Sequence, residues 1–164
     1  MQRTVDHLVD VCCWYAIQLA SGAAHHVTID AAPPPRADHR ERIDALRAAA
    51  ALLVTVIGGC PADRHAWHWF GPADPNGFAA MTLDEVLVHG YDITQGLKQP
   101  WTPPPDLPAA VLTRLFPDTP PGPDPWSTLL WANGRIPLAV NDRIVWRTLV
   151  ALNGSRFEHM CATM

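Results

Sequence analysis

Apolar residues recur at helical spacing through positions 4–21, TVDHLVDVCCWYAIQLAS, and they occupy most sides of the helical wheel. Such breadth predicts a buried helix, with Gly22 as its stop. A loop containing PPP follows over 23–37. The pattern then resumes, polar in DHRER from Asp38 and apolar onward to Ile57. Asp38 and Glu41 stand three residues apart, the spacing of a capping box, and Gly58–Gly59 close this second helix. Residues 60–79, CPADRHAWHWFGPADPNGFA, read as an irregular crossover in which HAWHWF alternates like a short extended segment.

A third helix is predicted from Thr82 to Leu97, with TLDE at 82–85 as its capping box. A proline-heavy connection at 99–108 leads to a short helix around 108–116. After the loop PDTPPGPDP at 117–125, WSTLLWANG reads as a helix stopped by Gly134. RIPLAV and RIVWRTLV then predict two short strands, or a strand and a helix, joined by a turn at Asn141–Asp142. No repeat or change of composition divides the chain, so a mainly α protein with one domain over 1–164 is expected.

Composition narrows the picture. At 164 residues and 48% hydrophobic, the chain can bury one real core. Its net charge of −4 carries no electrostatic footprint for nucleic acid. The longest apolar run, AAAALLVTVIGG at 48–59, is shorter than the ~20 residues that span a bilayer, and no charged-then-apolar leader opens the sequence. Cys12, Cys13, Cys60 and Cys161 form no C-x-x-C pair. Reduced thiols, a cytoplasmic location and no membrane or nucleic-acid partner are therefore expected.

The chemistry is concentrated in LDEVLVHGYD at 83–92. On a helix Glu85, His89 and Asp92 fall in one row, four and then three residues apart. Leu83, Val86, Leu87, Ile93 and Leu97 share an apolar arc, while Asp84 and Gln95 share another that suits solvent. Two polar arcs on one helix suggest that one of them faces inward. An inward row needs partners or a metal, because unpaired buried charge is costly. A solvated face is the other reading of the same row. Gly90 would let another helix pack close beside His89.

A metal site of catalytic type wants three protein ligands. The best third candidate is His7, in VDHLVD on the first helix; a satisfied core histidine is the alternative. His25, His26 and His39 sit in or near polar loops, His65 and His68 in a surface turn about Trp67 (His68 lining a pocket is the alternative), and His159 near the C-terminal end. Trp67, Trp69, Phe70 and Trp131 are candidates for lining a pocket or for the core. Cys12 and Cys13 read as buried structural thiols, and no G-x-S-x-G, P-loop, H-E-x-x-H or G-x-G-x-x-G occurs.

DHLVDV, the tryptophan-containing crossover, MTLDEVLVHGYDI and LLWANGRIPL together resemble the DinB-like superfamily, in its mycothiol-dependent maleylpyruvate isomerase N-terminal-domain branch. The similarity runs from about Val5 to Leu149. It implies an up-down-up-down helical bundle with a small irregular or β-containing C-terminal tail. It also implies one divalent metal, zinc or nickel, held by His7, Glu85 and His89. Asp92 follows the family's H-x-x-D and would stand behind the ligands or against a cofactor. Arg135 would receive an anionic group or make a salt bridge. Relatives use a low-molecular-weight thiol such as mycothiol, so a thiol transferase or isomerase acting on a small electrophile is implied, with no protein nucleophile. A non-catalytic binding or interaction module is the alternative. The resemblance further implies a complete helix ahead of the first histidine, whereas His7 lies almost at the start here. Either another element covers the gap, or Val5, Leu8, Cys12 and Tyr15 form an exposed apolar patch on which two subunits pair as a homodimer.

Overall fold

The computed structural model describes residues 1–120 and 124–137. Among them the regular structure is five helices, in order α1 Gln2–Ser21, α2 His39–Gly59, α3 Pro75–Gly96, α4 Asp106–Leu115 and α5 Pro125–Ala132. A mainly α protein is what the apolar periodicity predicts, and a helical bundle is what the resemblance implies. The alternating HAWHWF stretch yields only an isolated antiparallel bridge between Ala66 and Ala73. Of the predicted tail strands, residues 135–137 are irregular, and the rest lies outside the described residues.

The end of α1 falls where the glycine rule places it: Gly22 adopts φ 60° and returns its N–H to the Leu19 carbonyl. At the start of α2 the capping box is complete. Asp38 Oδ1 accepts from Glu41 N at 2.8 Å, and Glu41 Oε2 accepts from Asp38 N at 2.7 Å.

Directions do not alternate up-down-up-down. The loop 22–38 runs back along α1. Fully buried Gln18 donates to the His25 carbonyl at 3.0 Å and accepts from Val27 N at 2.9 Å. Two turns earlier Asp10 accepts from Ala31 N at 3.1 Å. Near the helix start, buried Arg42 donates to Asp6 Oδ1 at 2.7 Å and to the Pro34 and Pro35 carbonyls at 3.5 and 3.4 Å. So α2 starts beside the start of α1 and runs parallel to it, and past its end Arg64 reaches the Ala20 carbonyl. A near-extended loop at about 3.3 Å per residue easily covers a helix rising about 1.5 Å per residue, which makes this crossover possible. Helix α3 is antiparallel to α1: His7 meets Glu85, and Tyr15 meets Phe78.

Helix α3 begins two turns before its predicted start. Asp74 caps it, accepting from Gly77 N at 2.6 Å and from Arg114 of α4 at 3.0 Å, with Pro75 in the first turn. Proline suits that position because its missing N–H would be unpaired there anyway. Thr82 is therefore an interior residue whose hydroxyl donates to the Phe78 carbonyl at 2.7 Å, not a cap. Asp124 caps α5 from its side chain, accepting from Ser127 N at 2.9 Å.

The core gathers Leu19, Leu53, Phe78, Val111, Leu115 and Leu129, each at most 1% exposed. The expected apolar patch is absent. Val5, Leu8, Cys12 and Tyr15 are 6, 3, 1 and 6% exposed within one copy, so they offer no surface for pairing subunits. Their side of α1 is covered by α2 and α3. Among the described residues no helix is long and apolar enough to cross a membrane.

Candidate metal centre

The antiparallel crossing of α1 and α3 brings three side chains to one point. His7 comes from the second turn of α1; Glu85 and His89 come from successive turns of α3. Glu85 Oε2 lies 3.2 Å from His7 Nε2 and 3.2 Å from His89 Nε2. The two imidazole rings meet edge to face with centroids 5.0 Å apart. One donor atom from each residue lies within 4.8 Å of the others. The His7 side chain is 45% exposed and that of His89 23%, so the cluster opens to solvent on the His7 side.

Asp92 completes the row on the far side of His89. Its Oδ2 accepts from His89 Nδ1 at 3.2 Å, which leaves Nε2 as the nitrogen turned toward Glu85. Arg135 grips the same carboxylate with both ends of its guanidinium, Nε to Oδ1 at 3.3 Å and Nη2 to Oδ2 at 2.9 Å. The Arg135 side chain thus makes a salt bridge, the second of its two expected roles.

The electrostatics follow from these contacts. Burial alone would push the Glu85 carboxyl up. Hydrogen bonds from His7 and His89, with their charge, outweigh it and bring the value down to about 2. His89 moves up, chiefly through its hydrogen bond to Glu85, against burial and with help from Asp92. Asp92 is also pulled below its ordinary value: burial opposes the shift, and the Arg135 hydrogen bond and charge prevail.

The sequence model of the mycothiol maleylpyruvate isomerase N-terminal domain family matches residues 3–94. The chain belongs to this family. No curated protein and no solved structure gives a significant match. His7, Glu85, His89 and Asp92 lie inside the stretch that the family covers, and Arg135 lies beyond it.

Other residues fall differently. Trp67 and Trp69 pack edge to face at 4.6 Å in an aromatic group with Trp14 and His26, and Trp69 is 63% exposed. Phe70 packs against His68 at 5.4 Å. Trp131 is a core residue whose Nε1 has no hydrogen-bond partner among the described residues. His68, expected in a surface turn, is buried among Trp14, Tyr15, Phe70 and Phe78. Burial lowers it to about 4, so it is neutral near pH 7.

Gly90 does make room, but for a side chain of the following connection and not for a helix. A Cβ there would sit 3.3 Å from the Trp101 ring, which in turn packs edge to face on Trp126. Cys12 is a buried free thiol raised to about 11 by burial first and by Cys13 and Glu85 next, hence protonated and inert.

Two placements on α3 differ from the wheel. Asp84, expected in solvent, accepts from Asn133 Nδ2 at 2.9 Å, and burial pushes its carboxyl up to about 7. The end of α5 covers that arc. Val86 and Leu97, on the apolar arc, are 39 and 50% exposed. The one sequence signal for Asp84 was a polar partner in an otherwise apolar stretch, Asn133 of LLWANGR.

Proposed function

We propose that the chain holds one divalent ion, zinc or nickel, through His7 Nε2, a Glu85 carboxylate oxygen and His89 Nε2. With it the protein activates a low-molecular-weight thiol of the mycothiol type for transfer to, or isomerisation of, a small electrophile. The convergence of three donor atoms within 4.8 Å from two helices carries this reading. Two imidazole nitrogens and one carboxylate oxygen form a donor set that suits such ions, and three protein ligands leave a position for a small molecule. Membership of a mycothiol-associated family supports the thiol.

The ion, when bound, supplies Lewis acidity that holds a thiol as thiolate near neutral pH. The chain's own residues prepare for it. Glu85 is ionised down to strongly acid pH, so its oxygen is always available as a ligand. Asp92 holds His89 by Nδ1 and leaves Nε2 directed at the cluster. His7, the most exposed of the three, lies on the side open to solvent, from which a small molecule would enter. Cys12 stays protonated in the core, which supports a nucleophile that comes from solution.

The test is metal content by mass spectrometry on protein purified without a His-tag, beside His7→Ala and His89→Ala. About one equivalent, lost through purification in both variants, is expected, because each variant removes one of the three ligands and weakens binding. In a cobalt-substituted sample, added thiol should then perturb the absorption spectrum. No metal after reconstitution at neutral pH would overturn the reading and leave a binding module.

A further inference from the structure

The turn that follows α5, Asn133–Gly134–Arg135, reaches across to α3 with two side chains. Asn133 Nδ2 donates to Asp84 Oδ1 at 2.9 Å, and Arg135 makes its forked pair with Asp92. The two grips bracket the proposed metal ligands. Asp84 immediately precedes Glu85, and Asp92 follows His89 by one helical turn.

The turn is itself stiff. Gly134 takes φ 67°, a conformation that favours glycine. Its N–H donates to the Trp131 carbonyl at 2.8 Å, and Arg135 N donates to the Leu130 carbonyl at 2.8 Å. Arg135 Nη1 donates to the Asn133 carbonyl at 2.8 Å, which ties one grip to the other. Beneath it Leu129 and Leu130 of α5 are 0 and 4% exposed, so the turn is anchored to the core.

We propose that this turn is a positioning clamp for the metal ligands. Through Asp92 it fixes the ring of His89, with Nδ1 on the Asp92 carboxylate and Nε2 turned toward Glu85, where an ion would take the place of a proton. Through Asp84 it holds the turn of α3 from which Glu85 is presented on the neighbouring face. Neither Asn133 nor Arg135 is a ligand, and both lie beyond the residues matched by the family. The argument is geometric. An Asp92 carboxylate without its guanidinium can rotate about its side-chain bonds. With both oxygens held in a fork, Oδ2 stays where His89 Nδ1 finds it.

The clamp rests on the metal reading above, and its test separates the two. Arg135→Gln, Arg135→Lys and His89→Ala are compared with the parent protein, each first checked for a cooperative melt. Cobalt(II) is titrated by absorption. The tautomer of His89 is read by ¹⁵N NMR of the metal-free protein, at a pH where the ring is neutral. Arg135→Gln should bind cobalt more weakly, by up to the roughly tenfold or more that is usual for removing an outer partner of a metal-bound histidine, because Arg135 acts on His89 through Asp92. It should also shift the tautomer equilibrium of His89 away from Nδ1–H, toward Nε2–H facing Glu85. Arg135→Lys, which keeps the charge but cannot fork, should recover part of both; it carries the test alone if Arg135→Gln does not fold. Parent-like affinity and tautomer in Arg135→Gln, or in Arg135→Lys where it stands alone, with His89→Ala unable to bind, would overturn the clamp. Equal cobalt uptake by the parent and His89→Ala would instead overturn the metal reading, and the tautomer then decides the clamp alone.

Discussion

Helices α1 and α3 meet at two places, and each place holds histidine in opposite circumstances. At one, His7 and His89 close on Glu85, with a second carboxylate, Asp92, behind His89. Two turns further along α1, His68 from the crossover is set against Tyr15 of α1 and Phe78 of α3, with Trp14 and Phe70 around it. Carboxylate neighbours raise His89; burial among rings lowers His68 to about 4. Helical spacing and apolar surroundings are common to both. What separates a candidate ligand from a core histidine here is the charge of the groups that touch it.

The strongest way to break this contrast is the pH dependence of metal binding. An ion must displace the proton that Glu85 and Asp92 hold on His89. Affinity should therefore rise with pH, by about tenfold per unit for that proton, until pH passes the raised value of His89, above the ordinary 6.5. For the metal-free protein the sign reverses. A raised folded value means that His89 contributes stability below its unfolded value and loses it as pH rises through the folded one. Cobalt titrations across neutral pH would show the first trend. A flat affinity over that range would mean that His89 is not a ligand.

His68 should show the opposite linkage. Its folded value, about 4, lies below the ordinary 6.5. Its contribution to stability is therefore complete above about pH 6.5 and is lost as pH falls toward 4, because the unfolded chain takes up a proton that the buried ring refuses. The loss is on the order of 3 kcal/mol at full extent. His68→Leu fills a similar volume without a titrating group. Urea unfolding at pH 7 and pH 4.5 should show a much shallower acid decline in the variant than in the parent. Parallel declines would mean that His68 is solvated or paired after all.

Most of the helical architecture was legible in the sequence, and the misses have physical reasons. Asp38 and Glu41 announced α2 because a capping box is a local interaction between residues three apart. The start of α3 was misplaced because ADPNG also reads as a turn. Only the later burial of Phe78 and the Asp74–Arg114 pair commits it to helix. The cluster of His7, Glu85 and His89 was legible in part. Glu85 and His89 lie on one helix and obey a period, whereas His7 depends on how α1 packs. The direction of α2 depends on buried Arg42 and Gln18 tying down the loop 22–38, contacts whose partners no periodicity names. Asp84 was misread because a helical wheel shows one helix, and its arc is covered by the end of α5.

Asp84 gives the finest test of what burial without full pairing does on this helix. Its carboxyl accepts a neutral hydrogen bond from Asn133, which cannot offset burial, and the adjacent Glu85 charge adds to the cost of ionising it. The folded value rises from 3.8 to about 7. The sign follows: the contribution is complete below about pH 4 and is lost as pH rises to 7, so above neutrality an ionised Asp84 works against the fold. Asp84→Asn keeps an oxygen for Asn133 and removes the charge. The variant should melt higher than the parent at pH 8, by a few degrees for a gain of about 1 kcal/mol, and the gain should vanish near pH 4. An equal difference at both pH values would assign the effect to packing. A lower melting point at pH 8 would mean that the ionised carboxylate has a cationic partner in the fold, and would place Asp84 with Glu85 rather than with His68.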